Sequence, residues 1–247
     1  MHAQHSKMVS SSLPLYVAVG ILMVDSIIEL SFVSSMVAWL HRRAGGSFEV
    51  AYNDSTYSLH GKPVGLLVDQ GHTSNGAAGT AFVLIGMGGI LVLWMRSRPN
   101  LWQKGFTKAL YHFWVVMTVF SALLTLAALI FTFILTSNHA GQTIDQSVAS
   151  QLNNHPYPNY VAYPLDSWTP ENWFNAVLKL DLVHGSDRNA INLRVHIMRG
   201  WRYNLIPMFI IGLAVAALAF WDAFNRRRAA RSGRYSSDSA MKQSGRI

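Results

Sequence analysis

Two carboxylates, Asp25 and Glu29, lie inside an otherwise apolar segment of the chain, LPLYVAVGILMVDSIIELSFVSSMVAWL. Their i,i+4 spacing places both on one face of a helix. A charged side chain near the centre of a bilayer costs about 3 kcal/mol or more, so such a pair points to a specific role. Asp25 and Glu29 are therefore the first candidate site.

Two interpretations of this pair remain open. Asp25 and Glu29 can form a cation or proton site, or they can hydrogen-bond to other helices or to a partner subunit and specify assembly. The second interpretation is favoured, because the sequence offers no intramembrane Lys or Arg and no second acidic helix. A third acid, Asp222, lies one turn before Arg226, and an i,i+4 ion pair accounts for it.

The other residues with catalytic or metal-binding chemistry form no motif. The ten histidines lack the H-x-x-x-H and H-E-x-x-H spacings that hold a metal ion. No nucleophile elbow, phosphate-cradling glycine loop or dinucleotide fingerprint occurs. The sequence therefore predicts a protein that is not an enzyme, with no catalytic residue, no metal and no cofactor, and it gives a membrane-embedded lipid enzyme no support.

The composition excludes several classes of protein. Charged residues make up 13% of the chain, against about 25% in a soluble domain. The absence of cysteine excludes disulfides, thiolate metal sites and a cysteine nucleophile. The net charge of +8 does not indicate nucleic-acid binding, because the basic residues flank apolar segments instead of covering a folded face.

Four apolar segments position the candidate residues and predict an all-α integral membrane protein with a four-transmembrane-helix bundle. About 20 apolar residues cross the hydrocarbon core of a bilayer. The first segment is too long for the apolar region of a cleavable signal peptide, so we predict a retained helix. Trp and Tyr at the segment ends are typical of membrane interfaces. The predicted spans are residues 13–40, 76–95, 110–136 and 205–224.

The second span is rich in glycine, which disfavours a helix in water. In a bilayer, small residues let neighbouring backbones approach each other closely. We favour a close helix–helix contact within the bundle over a dimer interface. The glycines concerned are Gly76, Gly79, Gly86, Gly88 and Gly89.

The basic residues predict that both ends of the chain are cytosolic, in the plasma membrane or an endomembrane. Residues 1–12, 96–109 and 225–247 carry one, four and seven Lys or Arg residues, whereas the longer loops 41–75 and 137–204 share eight. Short segments dense in Lys and Arg stay in the cytosol. The tail 225–247 is predicted to be disordered. Its cluster of Arg226, Arg227 and Arg228 is predicted to face anionic lipid.

The two outer loops are predicted to form a partly helical extracytosolic domain. The first loop alternates apolar and polar residues at 48–52, which predicts a short strand. It also contains the sequon Asn53-Asp54-Ser55, a candidate glycosylation site.

In the second loop, Thr169 is a candidate N-cap and Pro170 suits the first helical position. Apolar residues then recur at helical spacing, which predicts an amphipathic helix at about 170–182. A further helix at 189–203 is predicted to run towards the fourth span, interrupted or bent around Gly200 and Pro207.

These loop helices have two interpretations. Either they cap the bundle and pack on the first loop, or they present a surface to a partner or to lipid. For the second interpretation, the candidate recognition surface is Trp168, Trp173 and Phe174.

The segment YPLDSWTPENWFNAVLKLDL, followed by MRGWRYNLIP before the fourth span, is similar to four-span proteins of filamentous fungi. The resemblance covers a small part of the chain, implies the four-span layout and transfers no activity. The layout also resembles that of claudin-like tetraspans, whose paired loop cysteines are absent here.

These observations favour a non-enzymatic tetraspan that organises or accompanies other membrane components. It would contact a membrane-protein partner or a second copy of itself through the large outer loop and the polar face of the first span. The alternative is a small ion or proton transporter, or a channel component, that uses Asp25 and Glu29.

Overall fold

The computed structural model describes the backbone of residues 2–42, 45–161 and 167–244, and the side chains of residues 13–42, 45–161 and 167–229. The chain is 73% helical. It also contains a two-stranded antiparallel sheet, so the predicted all-α class is correct only in its main part. In chain order the elements are α1 (His2–Arg42), β1 (Ser47–Tyr52), β2 (Ser55–His60), α2 (Asp69–Gly79), a π-helical segment (Thr80–Met87), α3 (Gly88–Ser97), α4 (Pro99–Trp102), α5 (Gly105–Asn138), α6 (Gln146–Ala149), α7 (Pro170–Val177) and α8 (Gly185–Ser244).

Within the described residues, four helical stretches are long and apolar enough to cross a membrane, in agreement with the predicted membrane protein. Each extends beyond the predicted apolar segment, because backbone hydrogen bonding in a helix continues into polar sequence at its ends. The four stretches are Leu13–Arg42, Asp69–Ser97, Gly105–Asn138 and Gly185–Ala229.

The last helix, α8, differs most from its predicted form. It runs without interruption from Gly185 to Ser244, so Pro207 lies inside the helix and not in its first turn. Gly200 does not break the helix either. It packs against the Phe32 ring, whose Cζ lies 3.2 Å from the position that a Cβ at residue 200 would occupy. The helix also continues through most of the tail that the sequence predicts to be disordered, since Arg and Ala are good helix formers. Residues 245–247 of that tail lie outside the described residues.

The chain forms two compact units. The helix-only unit contains α1 through Val24, Thr80–Leu123 and α8 from Ile210 onward. The loop-bearing unit contains Asp25–Gly79 and Leu124–Phe209.

A glycine brings two helices of the helix-only unit together. The Trp114 ring lies so close to Gly89 that a Cβ there would be 2.7 Å from it. The Trp114 indole N–H donates to the Ile85 carbonyl at 3.1 Å, within the π-helical segment. A side chain that inserts into the helical hydrogen-bond ladder is a known cause of local irregularity. No pattern in the sequence predicts this π-helical stretch.

A β-hairpin ties the two loops together in the loop-bearing unit. The strand predicted at 48–52 is confirmed as β1, which pairs antiparallel with β2. Asn53 and Asp54 link them with φ values of 50° and 57°, as a two-residue type I′ turn requires. Val50 of β1 also bridges to Leu182 of the second loop.

The amphipathic helix of the second loop is present as α7. Thr169 is its N-cap, as predicted, and its hydroxyl accepts the Asn172 backbone N–H at 3.3 Å. The helix ends at Val177 and not near residue 182. It stops early because the chain turns to meet β1, where the Val183 N–H donates to the Glu49 carbonyl at 3.0 Å.

Aromatic side chains form the core of the loop-bearing unit. Trp39 of α1 packs edge-on against Phe174 of α7, with ring centroids 4.5 Å apart. Trp173 packs against Trp168 at 5.1 Å and donates its indole N–H to the Gly61 carbonyl at 2.9 Å. α7 therefore packs on the first loop, which is the first of the two interpretations given above.

Two tyrosines of this unit are expected to respond differently to loss of the hydroxyl. The Tyr157 hydroxyl accepts the Asp145 backbone N–H at 2.9 Å, so Tyr157→Phe is expected to cost about 1–2 kcal/mol of unfolding free energy. Among the described residues the buried Tyr57 hydroxyl has no partner, and burial raises its pKa to about 12. Tyr57→Phe is expected to be neutral or slightly stabilising. Unfolding in mixed detergent micelles measures the stability of both variants. Equal losses of unfolding free energy would contradict the assignment of a hydrogen-bonded hydroxyl to Tyr157 and a partnerless one to Tyr57.

Candidate functional site

The structure brings Asp25 and Glu29 of α1 to one residue of α8, Asn204. The Asn204 side-chain N–H₂ donates to Glu29 Oε2 at 3.1 Å and to the Asp25 backbone carbonyl at 3.4 Å. Glu29 is fully buried, and Asp25 is half-buried. Glu29 thus makes a hydrogen bond to another helix, the kind of contact that the favoured interpretation of this pair requires.

Each of the two carboxyl groups keeps one oxygen with unused acceptor capacity. Within the described part of the chain, Asp25 Oδ2 and Glu29 Oε1 are buried and have no hydrogen-bond partner. An unsatisfied buried polar group costs about 1–3 kcal/mol. A proton or a cation at these oxygens would remove that cost, so the geometry also suits the ion-site interpretation.

A second group of polar side chains surrounds a recess in the loop-bearing unit. Glu171 of α7 pairs with Arg202 at 3.1 Å and with Arg199 at 3.5 Å, both from α8. Arg199 also donates to the Asn175 side chain at 3.1 Å. Burial raises the pKa of Glu171, and the charges of Arg202 and Arg199 oppose that rise.

The recess has a volume of about 560 Å³, and Lys179 lies on its wall as an exposed, positively charged side chain. Among the described residues of the lining, three are basic, Lys179, Arg199 and Arg202, and one is acidic, Glu171. The side-chain carbonyl oxygen of Gln142 is buried in the same wall, without a partner among the described residues. Such a recess suits a polar or acidic group.

The proposed recognition surface of Trp168, Trp173 and Phe174 must be corrected. Their side chains are exposed by only 4%, 0% and 0%. They cannot form a contact surface in this structure, because α7 turns its apolar face towards the hairpin and towards α1. The accessible polar residues of this region are Asn175, which is partly exposed, and Lys179 and Arg199, which are exposed.

No protein-family model, curated protein or solved structure matches this chain. Its function must therefore be argued from its own geometry.

Among the described residues, no group of three His, Asp or Glu side chains lies close enough together to hold a metal ion.

The sequence predicts only the Asp222–Arg226 ion pair of a larger charge cluster in the helix-only unit, and that pair is confirmed. Asp222 of α8 lies in an ion pair with Arg96 of α3, and both side chains are buried. The same carboxylate accepts the Tyr111 hydroxyl at 2.5 Å and pairs with Arg226 at 3.2 Å. We call Arg96, Tyr111, Asp222 and Arg226 the charge cluster.

The charge cluster changes the interpretation of the basic tail. Arg226 is engaged with Asp222 one turn earlier and is only partly exposed. It is therefore not a free member of the predicted lipid-facing group. Arg227 and Arg228 are exposed, and Arg228 lies over the Phe224 ring at 5.5 Å.

The candidate glycosylation site, Asn53, lies exposed at the tip of the β-hairpin. An exposed turn is where a bulky glycan is accommodated. Its modification stays a prediction.

Proposed function

We propose that this protein is a non-enzymatic tetraspan that organises or accompanies another membrane protein, and that the loop-bearing unit recognises that partner. The observation that carries the proposal is the recess, a polar surface held by the packed pair of α7 and α8. A rigid, folded surface loses little conformational entropy when a partner binds.

The charge of the recess indicates the chemistry of the partner. Lys179 is exposed, and the Arg199 side chain is 47% exposed. Arginine is enriched at protein interfaces and among the residues that carry binding energy. We therefore propose an acidic segment of the partner as the group that enters the recess.

The distribution of basic residues supports an extracytosolic position for this surface. If the segments dense in Lys and Arg are cytosolic, the hairpin, α6 and α7 lie on the opposite side of the membrane. The partner would then present its acidic segment outside the cytosol.

In this proposal Asp25 and Glu29 have a structural role. Glu29 is fully buried against Asn204, so a partner helix has no access to it. The pair helps to hold α1 against α8, which supports the recess indirectly through α8.

Affinity purification of the tagged full-length protein from its native membranes, in mild detergent, tests the proposal. The comparison is between wild type, Lys179→Gln/Arg199→Gln, and the control Lys104→Gln/Lys108→Gln, which removes the same charge from exposed residues elsewhere. We expect a stoichiometric partner, and at least tenfold lower recovery with the recess variant, a loss of about 1.4 kcal/mol.

Two results would contradict this proposal. A monomer without partners in wild-type preparations would exclude the organiser function. Partner loss in Asp25→Asn/Glu29→Gln, with the recess variant unaffected, would move the contact from the recess to the first helix.

Proton or cation transport is the second candidate function, favoured by the partnerless oxygens Asp25 Oδ2 and Glu29 Oε1. It predicts a flux in vesicles reconstituted with the purified protein. Asp25→Asn/Glu29→Gln should abolish that flux while the amount of folded protein stays unchanged. A flux that survives this substitution would exclude transport through the pair.

A further inference from the structure

A groove of about 970 Å³ lies in the loop-bearing unit, away from the recess. One wall is the end of α1, including Val33 and Val37. The facing wall includes Leu66, Val68 and the first turns of α2. Both α1 and α2 belong to stretches that can cross a membrane, so an acyl chain in the groove would run beside membrane helices.

The charges of the groove all have the same sign. Arg42 and Lys62 line it together with three histidines, and no Asp or Glu is found among the described residues of its lining. Within the described residues, neither Arg42 nor Lys62 forms an ion pair with a carboxylate. Such a pair of cations lacks the counter-charge that a bound anion would supply.

Two polar side chains in the wall are also incompletely satisfied. Gln70 and Trp201 line the groove and are 2% and 7% exposed. Among the described residues, Gln70 Oε1 and Trp201 Nε1 have no hydrogen-bond partner. Buried polar atoms without partners are uncommon in folded proteins, and these two atoms are available to hydrogen-bond to a group in the groove.

From this arrangement we infer that the groove binds one anionic phospholipid of the bilayer. An acyl chain lies along Val33, Val37 and Leu66, and the phosphate pairs with Arg42 and Lys62. Arg binds phosphate through two parallel hydrogen bonds and Lys binds it as a point charge, so the two cations suit the phosphodiester of a membrane phospholipid. Residues flanking the ends of membrane helices also lie at the level of the lipid headgroups. This inference is independent of the partner proposed for the recess.

Native mass spectrometry of the full-length protein, released from detergent micelles, tests the inference. The probes are phosphatidylglycerol and phosphatidylcholine with identical acyl chains, and oleate as a free fatty acid. We expect phosphatidylglycerol to bind at least tenfold more tightly than phosphatidylcholine. Arg42→Gln/Lys62→Gln should weaken phosphatidylglycerol binding by roughly 30-fold, at about 1 kcal/mol per basic residue. It should weaken phosphatidylcholine binding less, because the choline cation already offsets the phosphate charge.

Two further variants separate the groove from the rest of the surface. Arg98→Gln/Lys108→Gln removes one Arg and one Lys that do not line the groove, and binding should stay at the wild-type level. Ala38→Trp places a large ring on a lining residue without a change of charge, and it should reduce the binding of both phospholipids.

Three results would overturn the inference. The first is equal affinity of the wild-type protein for the two phospholipids. This result does not depend on whether any variant folds. Another is an equal loss in the groove and control pairs. The third is tight oleate binding that phosphatidylglycerol does not displace, which would assign the groove to a free fatty acid.

Discussion

Replacing Asp222 with alanine is expected to lower the free energy of unfolding by about 3–5 kcal/mol, because it leaves a buried arginine without its carboxylate. Asp222 and Arg96 are each only 7% exposed. The Asp222 carboxylate also accepts the Tyr111 hydroxyl and pairs with Arg226. One substitution therefore removes the acceptor of three donors at once.

Unfolding of the full-length protein in mixed detergent micelles measures this loss. Asp181→Ala is the matched control, because Asp181 is an exposed aspartate, and it should change stability by less than about 0.5 kcal/mol. The double variant Arg96→Met/Asp222→Leu replaces the buried ion pair with apolar side chains and should recover part of the loss, while Tyr111 and Arg226 still lack their acceptor. If Asp222→Ala is as mild as the control, the cluster does not hold these helices together.

The contacts of the charge cluster were only partly predictable from the sequence. Asp222 and Arg226 are one turn apart, so their ion pair was predictable from spacing alone. Arg96 lies 126 positions from Asp222, and no local pattern joins them. A signal was nevertheless present, since the predicted topology places Arg96, Tyr111 and Asp222 near the same end of their helices. Only packing decides which of the basic residues at that end meets Asp222.

Burial explains the error at Trp168, Trp173 and Phe174. An amphipathic pattern shows that one face of a helix is apolar. It does not show whether that face meets the same chain or a partner. The structure resolves this for α7, because the hairpin and the end of α1 already cover the apolar face.

Local signals were the most reliable part of the sequence. Thr169 was recognised as an N-cap because capping depends on one side chain and the next three residues. The four apolar stretches were recognised because span length depends only on the thickness of the bilayer. The end of α7 was misplaced because Leu182 leaves the helix to bridge with Val50, a contact between distant parts of the chain.

The glycines of the second span lead to a second prediction with a large effect. Gly89→Leu is expected to destabilise the protein by about 3 kcal/mol or more, at the upper end of the cost of overpacking. A Cβ at this position would lie 2.7 Å from Trp114 Cζ2 and 2.9 Å from its Nε1. The ring cannot move away cheaply, because it is 2% exposed and donates a hydrogen bond to the Ile85 carbonyl.

Gly79→Leu is the matched control for this prediction, since a Cβ at Gly79 would meet no atom within 4 Å other than those of its own helical turn. It should be neutral or slightly stabilising, because Gly is a poor helix former and Leu a good one. Unfolding in mixed micelles, with near-ultraviolet circular dichroism to follow the environment of the tryptophans, separates the two variants. Equal effects at Gly89 and Gly79 would mean that helix propensity, and not contact with Trp114, decides the outcome. The glycine pattern predicts close approach somewhere in this span, whereas the position of Trp114 determines which glycine cannot be replaced.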